Sequence, residues 1–194
     1  MINIVNNTNL KSVGEYENKE QIILTNTFRD FDNYLTSLKT RFNGEYDKIP
    51  HYVITRNGVT HKLLNNNQYS NFYNSEKVNK KSIFISLENL GWLKKEPLKQ
   101  HYINWIGDIY NGDVYKKKWR DYYFWEPYKE EQIKSLYLLV KQLTDELKID
   151  FKIVFFMMFF LFPGYYYFYF LKHKIVCCLY IDTSNLVNPS FFCS

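Results

Sequence analysis

Ser82 to Leu87, read SIFISL, constrains this chain more than any other stretch. Ile83, Ile85 and Leu87 alternate with Phe84, Ser86 and Glu88, so a strand places the first three on one face and the second three on the other. The run reads as a central strand. Such a strand puts one carboxylate, Glu88, at its carboxyl end. Upstream, His51 to Arg56 and Val59 to Leu64 are two β-rich runs separated by Asn57-Gly58. That dipeptide predicts a hairpin with a type I′ turn, because both of its residues tolerate positive φ. The polar stretch between Asn65 and Lys81 is too irregular for a strand and reads as a long loop, a length at which loops are often functional.

The flanking segments supply partners for this sheet. Ile22-Ile23-Leu24 is a short buried strand, and residues 1 to 20 hold at most an edge strand or an arm. Asp30 is a plausible N-cap, and Phe31, Tyr34, Leu35, Leu38 and Phe42 recur at helical spacing until Asn43-Gly44. Glu130 to Lys148 predicts the longest helix, with a stripe of Ile133, Leu136, Tyr137, Val140, Leu143 and Leu147, and acidic residues at its start as the helix dipole prefers. Between Leu93 and Tyr128 two readings stay open. Asn111-Gly112 suggests a hairpin, which we favour, whereas Leu98, Tyr102, Trp105 and Ile109 would also line a helix. Most of the aromatics in WRDYYFWEPY are expected to be core.

The phrases H-Y-V-I-x-R-x-G and S-I-x-I-x-L-E-N-x-G, with an Asn-rich loop between them, resemble the zinc-dependent N-acetylmuramoyl-L-alanine amidase family. That family includes phage lysins and peptidoglycan-recognition domains. The resemblance runs from about Gln21 to Ile149 and implies an α/β fold, a central mixed β-sheet flanked by helices. It also implies hydrolysis of the lactyl to L-alanine amide bond of peptidoglycan, with zinc activating a water. A noncatalytic peptidoglycan-binding module on the same fold is the alternative.

Carried over residue by residue, the first zinc-ligand position falls at Thr25, in I-I-L-T-N-T where the family has I-V-I-H-H-T. The other two ligands belong after Ile149. There the chain offers His173, Cys177 and Cys178 without the surrounding motif, so no metal ligand is assigned. The helper carboxylate aligns with Ser86, and Glu88, two residues on and on the same face, either substitutes as the catalytic group or is a hydrogen-bonded strand-end carboxylate. Pro50 stands where some relatives have a catalytic Tyr. His51, Asn71 and Trp92 are the residues the resemblance assigns to substrate contact. His61 and His101 have no metal partner at recognisable spacing and read as surface or packing residues.

A chain of 194 residues suits one well-buried domain, here 1–150. Its net charge of +5 favours polyanions, bacterial wall polymers among them, while the absence of any RNA- or DNA-binding fingerprint argues against a nucleic-acid partner. The expected partner is a muropeptide and the expected state a monomer. No secretory signal is visible at Met1 to Val5, so synthesis in the cytoplasm and delivery to the wall by another component are expected. From Phe151 to Ser194 the text turns to FKIVFFMMFFLFPGYYYFYF. Three readings stand: a membrane segment over 153–171, buried core, or a tail not selected for this fold, such as frame-shifted text from AT-rich coding. The last fails if no other frame continues the domain better past the Asp150 codon.

Overall fold

The computed structural model describes residues 3–8, 10–97 and 101–149, together with the backbone of 152–154 and 174–176. In chain order come β1 (Ile4–Asn6), β2 (Gly14–Glu15), β3 (Gln21–Asn26), α1 (Phe31–Thr40), β4 (Tyr52–Ile54), β5 (Thr60–Lys62), β6 (Gln68–Tyr69), α2 (Glu76–Lys81) and β7 (Ser82–Leu87). They are followed by β8 (Trp92–Lys95), β9 (Tyr102–Ile103), β10 (Ile109–Tyr110), β11 (Tyr115–Trp119), β12 (Tyr122–Trp125), α3 (Glu130–Leu147), β13 (Lys152–Val154) and β14 (Lys174–Val176).

A mixed sheet of order β1-β5-β4-β7-β3-β14-β13 forms the centre. Strand β7 lies between β4 and β3, parallel to both, and all six of its residues are buried. The alternation in SIFISL explains this. Ile83, Ile85 and Leu87 join Ile22, Leu24 and Ile54 under Leu136, Leu139, Val140 and Leu143 of α3. On the opposite face Leu38 of α1 packs with Ile49, Val53, Leu63 and Leu64, and Phe84 stacks on Phe72 at 4.6 Å. The mixed sheet flanked by helices is the architecture expected.

The hairpin β4–β5 forms as predicted, although its turn differs. Gly58 N–H donates to Thr55 C=O at 2.9 Å, and only Gly58 has positive φ, at +81°. This is a three-residue connection with glycine in the left-handed position, the hairpin type that needs one such residue rather than two. A Cβ on Gly58 would also stand 2.8 Å from the Glu131 carbonyl oxygen, so the turn packs backbone to backbone on α3.

Helix α1 is capped by Asp30, which accepts from Asn33 N–H at 3.0 Å. It ends at Thr40, before the expected Phe42, whose side chain is 72% exposed and whose φ of +51° lies outside the helix. On α3 the buried stripe is Gln132, Leu136, Leu139, Val140, Leu143 and Thr144, while Tyr137 is 47% exposed. The helix is therefore turned relative to the expected stripe. Gln132 is the reason: its Nε2 donates to the Ile54 and Glu88 carbonyls at 2.8 and 3.0 Å, drawing a polar residue inward at the ends of β4 and β7. The long loop after Asn65 holds more structure than expected, since β6 pairs with β2 and Ser75 caps α2.

Strands β8 to β12 form a second, antiparallel sheet of order β10-β9-β8-β12-β11. Asn111-Gly112 is not its hairpin turn: β9 pairs with β10 across Asn104–Asp108 and β11 with β12 around Arg120, leaving residues 111–114 to join the two edge strands. The aromatic cluster expected in the core lies here instead, with Trp119, Tyr122, Phe124 and Trp125 half-buried and Tyr123 exposed. Among the described residues no helix is long and apolar enough to cross a membrane. The readings of the tail, His173, Cys177, Cys178 and all but the first two residues of 153–171 included, lie outside the described residues.

Candidate functional site

The carboxyl ends of β3, β4 and β7 converge under the start of α1. In register Thr25 lies opposite Ser86, and Thr25 Oγ1 meets Ser86 Oγ at 2.7 Å. Thr25 is 4% exposed and Ser86 fully buried. Burial pushes the Tyr34 hydroxyl above its ordinary range, and its hydrogen bond with Ser86 draws it partly back. The position expected to hold the first zinc ligand and the position expected to hold the helper carboxylate thus carry two neutral hydroxyls bonded to each other. At the next position of β3, whose side chain points to the opposite face of the sheet, Asn26 Oδ1 is buried with no hydrogen-bond partner among the described residues.

Glu88 sits one residue past β7, 7% exposed. Its Oε1 accepts from Phe31 N–H at 3.1 Å, in the first turn of α1, and from the Arg56 guanidinium; its Oε2 accepts from Arg56 N–H at 2.9 Å. Arg56 also reaches Glu126, with Nε to Oε1 at 2.5 Å and Nη2 to Oε2 at 3.1 Å. The second Glu126 oxygen accepts from Leu90 N–H at 2.5 Å. Burial works against the arginine charge, but the hydrogen bond and charge of Glu126, then the charge of Glu88, hold its pKa above the usual value. One guanidinium, two carboxylates and backbone N–H groups therefore fasten the β4–β5 turn, the end of β7, the start of α1 and the end of β12 together. Of the two readings of Glu88, the hydrogen-bonded strand-end carboxylate describes this geometry.

His51, one of the residues the resemblance assigns to substrate contact, lies in the interior. The ring is fully buried, Nδ1 accepts from Phe84 N–H at 3.1 Å, and Nε2 lies 2.9 Å from the Gln68 carbonyl. That pairing requires the neutral ring protonated on Nε2. Burial, with Lys19 nearby, pushes His51 down to about 3. Asn71 is half-buried and donates to Asp47 Oδ2 at 2.6 Å. Trp92 is half-buried and stacks on Tyr122 at 4.5 Å. His61 stacks on Phe31 at 4.0 Å and bonds Asn7, and His101 lies 3.4 Å from Glu96, so both have local packing partners.

Catalytic zinc takes three donors, normally imidazole, thiolate or carboxylate, and keeps an open position for water. Thr25 offers a neutral hydroxyl already bonded to Ser86, and among the described residues no group of three His, Cys, Asp or Glu is placed to hold a metal ion. The first ligand position does not fit zinc. The second and third lie outside the described residues.

Sequence reasoning missed Arg56, Glu126, Gln132 and Tyr34. Each is brought in by long-range pairing, Arg56 and Glu126 across 70 residues, and no local spacing announces it.

The family model for N-acetylmuramoyl-L-alanine amidase (Amidase_2) matches residues 15–155, and the chain belongs to that family. Membership supports a peptidoglycan amidase-like function or recognition. Among solved structures, the chain is similar to AmiD of E. coli, an N-acetylmuramyl-L-alanine amidase in complex with anhydro-N-acetylmuramic acid-L-Ala-D-gamma-Glu-L-Lys. The identity is 19%, the TM-score 0.46, and the match covers 73% of this chain and 49% of that one, so this chain spans about half the length of AmiD. Drosophila PGRP-LB is 14% identical with TM-score 0.48, covering 77% of this chain and 78% of that one. The amidase LysC of Clostridium intestinale URNW is 14% identical with TM-score 0.43, covering 77% and 80%. No curated protein matches the chain by sequence.

Proposed function

We propose that residues 1–150 form a peptidoglycan-recognition module on the amidase fold, one that holds a muropeptide without cleaving it at the family's metal position. The Thr25–Ser86 hydroxyl pair carries this reading. It replaces a basic, metal-binding ligand and its acidic helper with two neutral groups that satisfy each other. A hydroxyl in that state neither ionises a bound water nor takes its proton near neutral pH. Asn71 and Trp92, both with exposed surface, are assigned to ligand contact, and Glu88 to holding the strand ends in place.

The hydrolase reading, with zinc, needs a ligand set completed after Ile149 and a substitute for Thr25. Incubating the purified chain with wall sacculi separates the two. Sacculus binding with no zinc-dependent release of L-alanine-linked peptides is the expected result. Stoichiometric zinc together with peptide release would overturn it and restore the amidase. A third reading, membrane attachment through 153–171, predicts that deleting residues 151–194 moves the protein out of a membrane fraction.

A further inference from the structure

The segment between β3 and α1 is held in place by the second sheet, and it carries a cation with no anionic partner among the described residues. Phe28 has a φ of +54°, a left-handed backbone that a bulky side chain takes only when its surroundings impose it. Trp105, in the β9–β10 turn, donates from Nε1 to the Phe28 carbonyl at 3.0 Å. A Cβ on Gly91, at the root of β8, would stand 2.9 Å from the Phe28 ring. Thr27 N–H donates to the Leu87 carbonyl at 3.0 Å, and Thr27 Oγ1 donates to the Arg29 carbonyl at 2.5 Å. These contacts fix where Arg29 leaves the chain, just past the carboxyl end of β3.

The Arg29 guanidinium stands 5.2 Å over the Trp105 ring, which is 46% exposed. Among the described residues Arg29 belongs to none of the ion pairs. Asp30, the carboxylate next to it in sequence, is turned to α1, where it accepts from Asn33 N–H and Nδ2 at 3.0 and 2.6 Å. An indole is a hydrogen-bond donor only, so the ring holds the guanidinium without occupying its fork of N–H groups. The contrast is Arg56, whose fork is spent on Glu88 and Glu126.

The chemistry such a group takes is narrow. A polyanion needs a row of cations. One guanidinium matches one planar anion, a carboxylate gripped by two parallel N–H···O bonds. Ligands of open α/β sheets lie outside the carboxyl ends of the strands, which is where Arg29 stands. On a muropeptide the hydroxyls and amides are neutral, and the anionic groups of the peptide stem are its carboxylates.

We propose that Arg29, held over Trp105, binds a carboxylate of the peptide stem. The assignment rests on the reading of the domain as a muropeptide-recognition module and names the part of the ligand that meets the segment between β3 and α1. Titration calorimetry of the whole chain tests it, with a synthetic N-acetylmuramoyl tripeptide and the same compound carrying every carboxylate as its amide, at one ionic strength. The free-acid stem is expected to bind about tenfold tighter than the amide, and Arg29→Gln to bring it down to the affinity of the amide. Arg120→Gln removes another ring-held guanidinium, from the turn at the opposite edge of the second sheet, and is expected to keep the preference. If Arg29→Gln loses its circular dichroism signal, Trp105→Leu decides, with the preference expected to shrink about threefold. Equal affinity for the two stems in the unaltered protein overturns the inference and leaves the recognition module standing. So does a preference unchanged in the deciding variant, or one lost equally in Arg120→Gln. No binding of either stem overturns the module, and the inference with it.

Discussion

At the carboxyl end of β7, Glu88 and Glu126 share the Arg56 guanidinium and accept three backbone N–H groups, so that two nearly buried carboxylates are neutralised from several directions. On the second sheet Lys118 and Arg120 lie over aromatic rings with no carboxylate partner among the described residues. The difference follows from water. A buried charge must be compensated by the protein, because the desolvation penalty is several kcal/mol per ion, whereas an exposed cation keeps its hydration and can remain available. The first arrangement fixes where the strand ends lie; the second leaves charge for something else to bind.

The sharpest break of this comparison is Arg56→Ala. Removing the guanidinium leaves two buried carboxylates uncompensated, and the expected loss of folding stability is about 3 to 5 kcal/mol, read as a lower urea midpoint. Glu88→Gln keeps part of the hydrogen bonding and is expected to cost less, with sacculus binding retained. Should Lys118→Ala cost as much as Arg56→Ala, the distinction between the two regions collapses.

His51 tests the buried side by pH. Its folded pKa is lowered from 6.5 to about 3, so the unfolded chain binds the proton more readily. The sign is therefore that this contribution to stability is complete above 6.5 and is lost as pH falls toward 3. The slope is about 1.4 kcal/mol per pH unit, or about 2 kcal/mol lost by pH 5 from this residue alone. Urea unfolding from pH 7 to pH 5, followed by tryptophan fluorescence, measures it. A flat profile would mean that the ring is hydrated in the native state.

How much of this was legible beforehand differs by region. SIFISL announced β7 to the residue, and Asn57-Gly58 announced the hairpin, because alternation and turn chemistry are local. The family resemblance placed Thr25 and Ser86 in one site although they are 61 residues apart, and they are indeed in contact. What that contact does was not legible, since two hydroxyls have no motif. Gln132 was passed over because a polar residue beside an apolar stripe reads as solvent-facing, and only the carbonyls at the ends of β4 and β7 give it a reason to turn inward. The aromatics of the second sheet were read as core from composition. Their register on short strands leaves them half-covered, which no count of tryptophans foretells.

Thr25→Val is a smaller and more specific probe of the strand-end region. It removes one hydroxyl of a buried pair while keeping shape, and Ser86 retains its bond with Tyr34. The expected cost is about 1 kcal/mol, with metal content and sacculus binding unchanged. A fall in bound zinc in this variant would return Thr25 to a metal site and contradict the reading of the pair as a self-satisfied replacement.

The smallest expected effect lies on the second sheet. Tyr123→Ala removes the ring under Lys118, an exposed cation–π contact worth about 0.5 to 1 kcal/mol, so the urea midpoint should barely move. If the midpoint falls by more, the ring is part of the packing of the sheet, and the contrast between a structural network and an exposed cationic face would have to be redrawn around Trp119 and Arg120 alone.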